Sequence, residues 1–290
     1  MKKSIFLFIG LAAWFSAGKP AQAQSRIVTD TLYSEVLNAK RAYTLYLPKS
    51  FDRQPDKRYP VLYLLHGMWG DNGDWAGRAN LKEVADRLIA SNEMCEMIIV
   101  TPDAGGGDPN VYQNGYFDMP GWKYETFFFT EFLPHIEQTY RAIGDKRHRA
   151  VAGLSMGGGG AVSYGERHTD MFGAVYAMSA LMDIPKQGAA QFDKPDGKLA
   201  LLTRSVIENS CVGYIVDADD TQKKALRSVA WYVDCGDDDF LFDCNIDFYR
   251  AMRKAGIPCQ LRVRDGGHDW EYWHSALYLC LPFVTRYISE

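Results

Sequence analysis

Arg149-Ala150-Val151-Ala152-Gly153-Leu154-Ser155-Met156-Gly157-Gly158-Gly159-Gly160 is the stretch on which the reading of this chain turns. A short strand-like run leads into Gly153-x-Ser155-x-Gly157, and a run of small, helix-compatible residues follows. That order suits a nucleophile elbow, a sharp strand-to-helix turn that pushes a serine hydroxyl out at the top of a sheet. The turn is strained, and side chains in place of its glycines would collide. Ser155 is then a nucleophile for acyl chemistry. The same five residues also read as a glycine turn around a buried serine. The decision therefore rests on partners that must follow in the order serine, acid, histidine.

The flanking sequence alternates between strand and helix patterns. Arg26 to Leu37 and Arg41 to Leu47 alternate apolar and polar residues and read as an antiparallel hairpin at a sheet edge. Pro60 to Leu65 and Met97 to Val100 are continuous apolar runs, as expected of strands buried on both faces. Leu81 to Ile89 has helical spacing, and Glu125 to Tyr140 reads as a helix that Pro134 bends. Strands are expected at Phe172 to Met178, Val229 to Val233 and Cys259 to Val263, with helices at Leu241 to Ala255 and Trp270 to Tyr287. Such alternation predicts an α/β fold, a doubly wound and mostly parallel sheet with helices on both faces. Leu181 to Leu226 is the least regular stretch and is expected to pass over the active-site edge. Ser155, Asp239 and His268 each follow a predicted strand, so all three can meet where such sheets carry their chemistry.

A serine hydroxyl needs an adjacent base. Of six histidines, His268 lies in Asp265-Gly266-Gly267-His268-Asp269-Trp270, just past the last strand, where glycines let the loop swing its side chain toward the elbow. The acid that holds the imidazole in the right tautomer is sought in Asp234-Cys235-Gly236-Asp237-Asp238-Asp239-Phe240. Asp239 is preferred because Phe240-Leu241 begins the next helix and fixes the loop there, with Asp238 and Asp237 as alternatives. Backbone donors for an oxyanion are expected at the Met156 N–H, after the nucleophile, and at the Met68 N–H in Leu64-Leu65-His66-Gly67-Met68. His66 precedes the serine and is read as a brace for that loop. Gly157 to Gly160 lacks the lysine and hydroxyl ending of a phosphate loop and is read as close packing of the elbow helix. Trp69 and Tyr116, in loops, are the expected aromatic contacts to substrate. The acidic run has no calcium-loop pattern, so neither metal nor cofactor is expected.

Met1-Lys2-Lys3, an apolar run from Ile5 to Ala17 and Ala21-Gln22-Ala23 read as a signal peptide over residues 1–23, followed by one domain over 24–290. The apolar run is short for a bilayer span, and no later segment is expected to insert in a membrane. The net charge is −4 at pH 7, and the leader carries Lys2, Lys3 and Lys19 without an acid, so the remainder is more acidic still. An acidic chain without a basic stripe argues against nucleic-acid partners. The six cysteines form no C-x-x-C pair, and their spacing leaves bridges and free thiols equally open.

Tyr63-Leu64-Leu65-His66-Gly67, Tyr124-Glu125-Thr126 through Leu133-Pro134-His135-Ile136, Ala152-Gly153-Leu154-Ser155-Met156-Gly157-Gly158, Phe172-Gly173-Ala174, Cys235-Gly236-Asp237-Asp238-Asp239-Phe240-Leu241 and Gly266-Gly267-His268-Asp269-Trp270 occur in one order. Through them the chain resembles the esterase D and feruloyl esterase group, carbohydrate esterase family 1 of the α/β-hydrolase superfamily. The resemblance implies a triad of Ser155, Asp239 and His268, with oxyanion donors at Met68 and Met156. One departure is Gly159-Gly160, where many relatives carry a tyrosine or another larger residue.

The expectation is an exported serine carboxylesterase, periplasmic or secreted, that removes feruloyl or acetyl groups from a small-molecule or oligosaccharide ester through an acyl-enzyme. A siderophore esterase or an acyltransferase of the same fold is the alternative, and a non-catalytic binding module is a third class.

Overall fold

The computed structural model describes residues 24–105, 108–184 and 197–289; the expected signal peptide lies outside them. Its centre is an eight-stranded sheet. In chain order the strands are β1 (Arg26–Ser34), β2 (Ala39–Leu47), β3 (Val61–Leu65), β4 (Ile98–Pro102), β7 (Arg149–Leu154), β8 (Ala174–Met178), β9 (Ala230–Gly236) and β10 (Gln260–Arg264); β5 (Asp118–Met119) and β6 (Trp122–Lys123) pair as a separate small ribbon. Across the sheet the order is β1-β2-β4-β3-β7-β8-β9-β10. The hairpin β1–β2 lies at the edge as expected, and β2 joins β4 antiparallel. From β4 to β10 every pairing is parallel.

The continuous apolar runs fill the middle of this sheet because both of its faces are covered. Along β3, Val61, Tyr63 and Leu65 point into one core, and Leu62 and Leu64 into the other. The second core also receives Leu81, Val84, Ala85 and Leu88 of the helix Leu81–Ala90, and Tyr272, Trp273, Leu277 and Leu281 of the helix Trp270–Ile288. Met156, Ala161, Val162 and Tyr164 of the helix Ser155–Arg167 enter the first.

Two segments differ from the sequence expectation. The helix from Glu125 to Tyr140 is α-helical over Tyr124–Phe127, widens into a π turn over Phe128–Phe132 and resumes over Leu133–Thr139. Pro134 has no N–H with which to continue the α ladder, and the extra residue is taken up just ahead of it. The described part of the stretch from Leu181 to Leu226 is more regular than its pattern suggested, with helices at Lys198–Glu208, Cys211–Asp217 and Asp220–Leu226. The signals lay in their caps. Ser210 accepts from the Gly213 N–H at 3.0 Å, and Asp219 and Gln222 form a reciprocal capping box. Residues 198–217 are long and apolar enough to cross a membrane by length and composition, against the expectation of no later span. They are nevertheless broken at Asn209-Ser210 and bury Leu199, Leu202, Val206, Cys211 and Ile215 within the domain. All six cysteines are unpaired thiols.

One buried group strains this fold. Glu166, in the helix Ser155–Arg167, is 2% exposed, and its Oε1 has no hydrogen-bond partner among the described residues. Burial pushes its carboxyl well above the usual range. A raised carboxyl is protonated in the folded chain at pH values where the unfolded chain ionises it, so stability falls as pH rises above the unfolded value near 4.5. Glu166→Gln removes that linkage. The melting temperature of the variant relative to wild type is expected to rise steadily from pH 4.5 to pH 8, as read by thermal denaturation; a difference independent of pH would contradict the assignment.

Candidate active site

The site begins with a backbone constraint. Ser155 sits between β7 and its helix at φ +52°, a left-handed conformation uncommon outside glycine. The turn holds because backbone packs directly on backbone around it. A Cβ at Gly153 would strike the Gly157 carbonyl, and one at Gly157 would stand 2.5 Å from the His66 carbonyl oxygen and 2.7 Å from that of Leu65. At Gly158 a Cβ would meet Ala180 at 2.6 Å, at Gly159 the Leu181 carbonyl, and at Gly160 the Tyr116 ring at 2.9 Å. The glycine run is thus a packing surface, and the space left at Gly159-Gly160 is filled by the Leu181 backbone and Tyr116.

Two loops from neighbouring strands bring the other groups to the serine. The acid loop after β9 and the histidine loop after β10 are stitched together. The Asp238 N–H donates to the Gly266 carbonyl at 3.1 Å, the Asp237 N–H to that of Arg264 at 3.2 Å, and the Gly266 N–H to Asp237 at 3.2 Å. Gly236 admits this approach, since a Cβ there would strike the Gly266 carbonyl. His268 is set just ahead of the helix Trp270–Ile288, whose N-cap Asp269 accepts from the Tyr272 N–H at 2.9 Å. Its Nδ1 lies 3.0 and 2.9 Å from the two Asp239 oxygens, and its Nε2 lies 2.9 Å from Ser155 Oγ. An ionised carboxylate only accepts, so Nδ1 carries the proton and Nε2 is left to accept from the serine hydroxyl.

Asp239 is 4% exposed. Burial alone would push its carboxyl up. The hydrogen bond and charge of His268, the Leu241 N–H at 2.8 Å and the neighbouring Ser179 hydroxyl outweigh that and hold it below the usual carboxylate value. Asp237 and Asp238, the alternatives in the same run, stay exposed and come within 4.8 Å of Asp265. Such exposed acidic groups are common without an ion.

The candidate oxyanion donors lie on the other side of the serine. Met156 occupies the first turn of the elbow helix, where N–H groups have no intrahelical acceptor. Around Met68 every carbonyl from Leu65 on is committed: Leu65 to the Trp75 indole at 3.2 Å, His66 to the Tyr116 hydroxyl at 3.0 Å, Gly67 to His66 Nδ1 at 2.7 Å, and Met68 to the Asn114 amide at 2.5 Å. Among the described residues the Met68 N–H has no acceptor. His66 is a fully buried brace. Its Nε2 accepts from the Ala104 N–H at 2.9 Å, which places the proton on Nδ1, and burial lowers its pKa, so it stays neutral.

One expected substrate contact needs correction. Tyr116 is only 1% exposed; its hydroxyl and ring brace the His66 loop and the elbow helix, so it cannot touch substrate. Trp69, 65% exposed, does line the cleft. That cleft encloses about 730 Å³ over Ser155 and His268. It is also lined by Leu181, Leu199, Phe240 and Leu241, and by Asp74, Arg78, Trp270 and Trp273. Sequence reading did not pick these out because they come from five separated segments that only the folded chain brings together.

A family model described as "Putative esterase" matches residues 34–284. A solved structure named a ferulic acid esterase is 70% identical, covers 91% of this chain and 99% of its own, and superposes with a TM-score of 0.88. An acetyl esterase of Caldicellulosiruptor saccharolyticus is 26% identical over 276 residues, 90% of this chain and 98% of that protein. A carbohydrate esterase family 1 ferulic acid esterase of Anaeromyces mucronatus, solved with ferulic acid, is 19% identical, covers 97% of this chain and 98% of its own, and shares the fold at a TM-score of 0.71.

The packing at the elbow has a measurable consequence. Gly157→Ala gains about 1 kcal/mol of helix preference, but its Cβ would press on two backbone carbonyls that cannot turn aside. A net loss of about 1–3 kcal/mol is expected in chemical denaturation. Gly77→Ala, with nothing within 4 Å of the new carbon, should be neutral or stabilising by up to about 1 kcal/mol. Equal effects at the two sites would refute the packing argument.

Proposed function

This chain belongs to the esterase family whose model spans residues 34–284, a carboxylic ester hydrolase of the α/β-hydrolase fold, and from that premise we propose that it is an exported serine esterase acting on feruloyl or acetyl esters of carbohydrate. The observation that carries the reading is the hydrogen-bonded series Asp239, His268 and Ser155, with both links near 2.9 Å. His268 Nε2 takes the Ser155 proton as Oγ attacks the ester carbonyl. The negative charge that develops on the carbonyl oxygen is met by the N–H groups of Met68 and Met156. Asp239 stabilises the imidazolium without taking its proton. The proton then passes to the leaving alcohol, and the acyl group remains on Ser155. Water enters, gives a proton to His268, and the acid leaves as the serine is restored.

The ferulic acid esterase at 70% identity and the acetyl esterase relative support the choice of acyl groups. The leader pattern over residues 1–23 supports export, to the periplasm or beyond, ahead of a single catalytic domain over 24–290.

Hydrolysis of p-nitrophenyl acetate, p-nitrophenyl butyrate and methyl ferulate by the chain lacking residues 1–23 tests the reading. Ser155→Ala should lower kcat by several orders of magnitude on every ester turned over. Asp239→Asn keeps the shape of the site but favours the wrong imidazole tautomer, and should lower kcat by about 10³–10⁴. Ester turnover that survives Ser155→Ala would overturn the mechanism.

A further inference from the structure

Part of the cleft takes no part in the acyl transfer. Arg78 closes the short helix Asp74–Gly77, with its guanidinium over the Trp270 ring at 4.8 Å. Trp270 is itself held edge-on by Trp75 at 5.6 Å and by Trp273 at 5.2 Å. The guanidinium, 58% exposed, therefore lies over an aromatic ring that two others hold in place. Its ionic partner, Asp74 Oδ1, stands 3.9 Å from Nη1, beyond direct hydrogen-bond reach. The Asp74 carboxylate is largely covered by protein, and Gly70 makes room for it, since a Cβ there would strike its Oδ2. Burial and the neighbouring Asp71 raise its pKa.

A donor edge and an acceptor held 3.9 Å apart leave a gap that a hydroxyl group can bridge, accepting from the arginine and donating to the carboxylate. Among the described residues, the charged groups lining this cleft, apart from His268, are Asp74, Arg78 and Asp269. That balance is negative and disfavours an anionic ligand. Exposed indole at the rim, from Trp69, offers the flat apolar face that a pyranose or furanose ring can cover. Leu181, Leu199, Phe240 and Leu241 lack such polar groups and suit the acyl half of the ester.

We propose that Asp74 and Arg78, backed by Trp270 and with Trp69 at the rim, form a subsite for the neutral, hydroxyl-bearing sugar half of the ester. The inference deepens the esterase reading and rests on it. The subsite would make this chain prefer esters of oligosaccharides over simple alkyl esters of the same acid. The preference would come from hydrogen bonds to neighbouring sugar hydroxyls rather than from the acyl group.

Arg78→Gln keeps a stem over Trp270 and loses the charged fork; Asp74→Asn keeps the shape and loses the carboxylate. Each is compared with wild type on a feruloylated arabinoxylo-oligosaccharide and on methyl ferulate. The ratio of kcat/KM for the oligosaccharide ester to that for the methyl ester should fall about tenfold in each variant, the size of one hydrogen bond to a charged group, and the loss should lie in KM. Circular dichroism and residual methyl ferulate turnover establish that the variants are folded. A ratio within twofold of wild type in both variants would overturn the subsite and leave the pair as a brace for Trp270. If wild type turns over neither ester, it is the esterase reading that has failed. The subsite is then read from quenching of tryptophan fluorescence by the unesterified oligosaccharide. Quenching in wild type that weakens about tenfold in affinity in Arg78→Gln supports it, and equal or absent quenching overturns it.

Discussion

Everything in this molecule that bears on chemistry depends on a backbone-to-backbone contact at one turn. β7 ends against its own helix so closely that Gly153 faces the Gly157 carbonyl and Gly157 faces the carbonyls of Leu65 and His66. No side chain fits between them. The contact locks Ser155 at φ +52°, a conformation costing on the order of 1–3 kcal/mol at a residue with a Cβ. It also sets the distance between the elbow and the loop after β3. The candidate nucleophile and one candidate oxyanion donor are thus positioned by the same packing. The surrounding fold sustains the strain because the contacts on both sides are rigid strand ends.

Around that turn, buried polar groups are arranged so that their hydrogen bonds point inward, away from the reacting space. Tyr116, His66, Trp75 and Asn114 take up the carbonyls of residues 65–68. On the other side Asp234, fully buried in β9, accepts from Tyr176 at 2.7 Å and from Tyr272 at 2.5 Å. Those bonds tie β8, β9 and the last helix together beneath the acid and histidine loops. Asn245 clamps Ala180 through both its N–H and its carbonyl, at 3.1 and 2.9 Å. Satisfied networks of this kind rigidify what they join. They explain how three loops on three strand ends can hold two 2.9 Å contacts among Ser155, His268 and Asp239.

The order of elements along the chain was legible because each has a local cause. Continuous apolar runs mark β3 and β4, and helical spacing marks Leu81–Ala90 and Trp270–Ile288. The π turn at Phe128–Phe132 was not legible. Pro134 signals a break in the ladder, but how the chain absorbs it depends on Phe128 and Phe132 packing around Tyr63 at 5.3 and 6.3 Å. The three helices between Lys198 and Leu226 were missed, although Ser210 and Asp219 carried cap signals.

By itself the sequence determined the elbow, the serine–acid–histidine order, the acidic charge and the alternation that builds a parallel sheet. These follow from residue type and near neighbours: glycine where no Cβ fits, apolar runs where both faces are covered, and chemistry-bearing residues just past strand ends. Only the tertiary structure decided which of three consecutive aspartates faces the histidine. Repulsion and burial let one turn inward, and the Leu241 N–H and His268 receive Asp239 there. Only the tertiary structure, likewise, placed Tyr116 under the elbow and Trp69 in the open. It also brought Asp74, Arg78 and Trp270 together, because a cleft wall is made of residues that are distant along the chain and adjacent only when the sheet has formed.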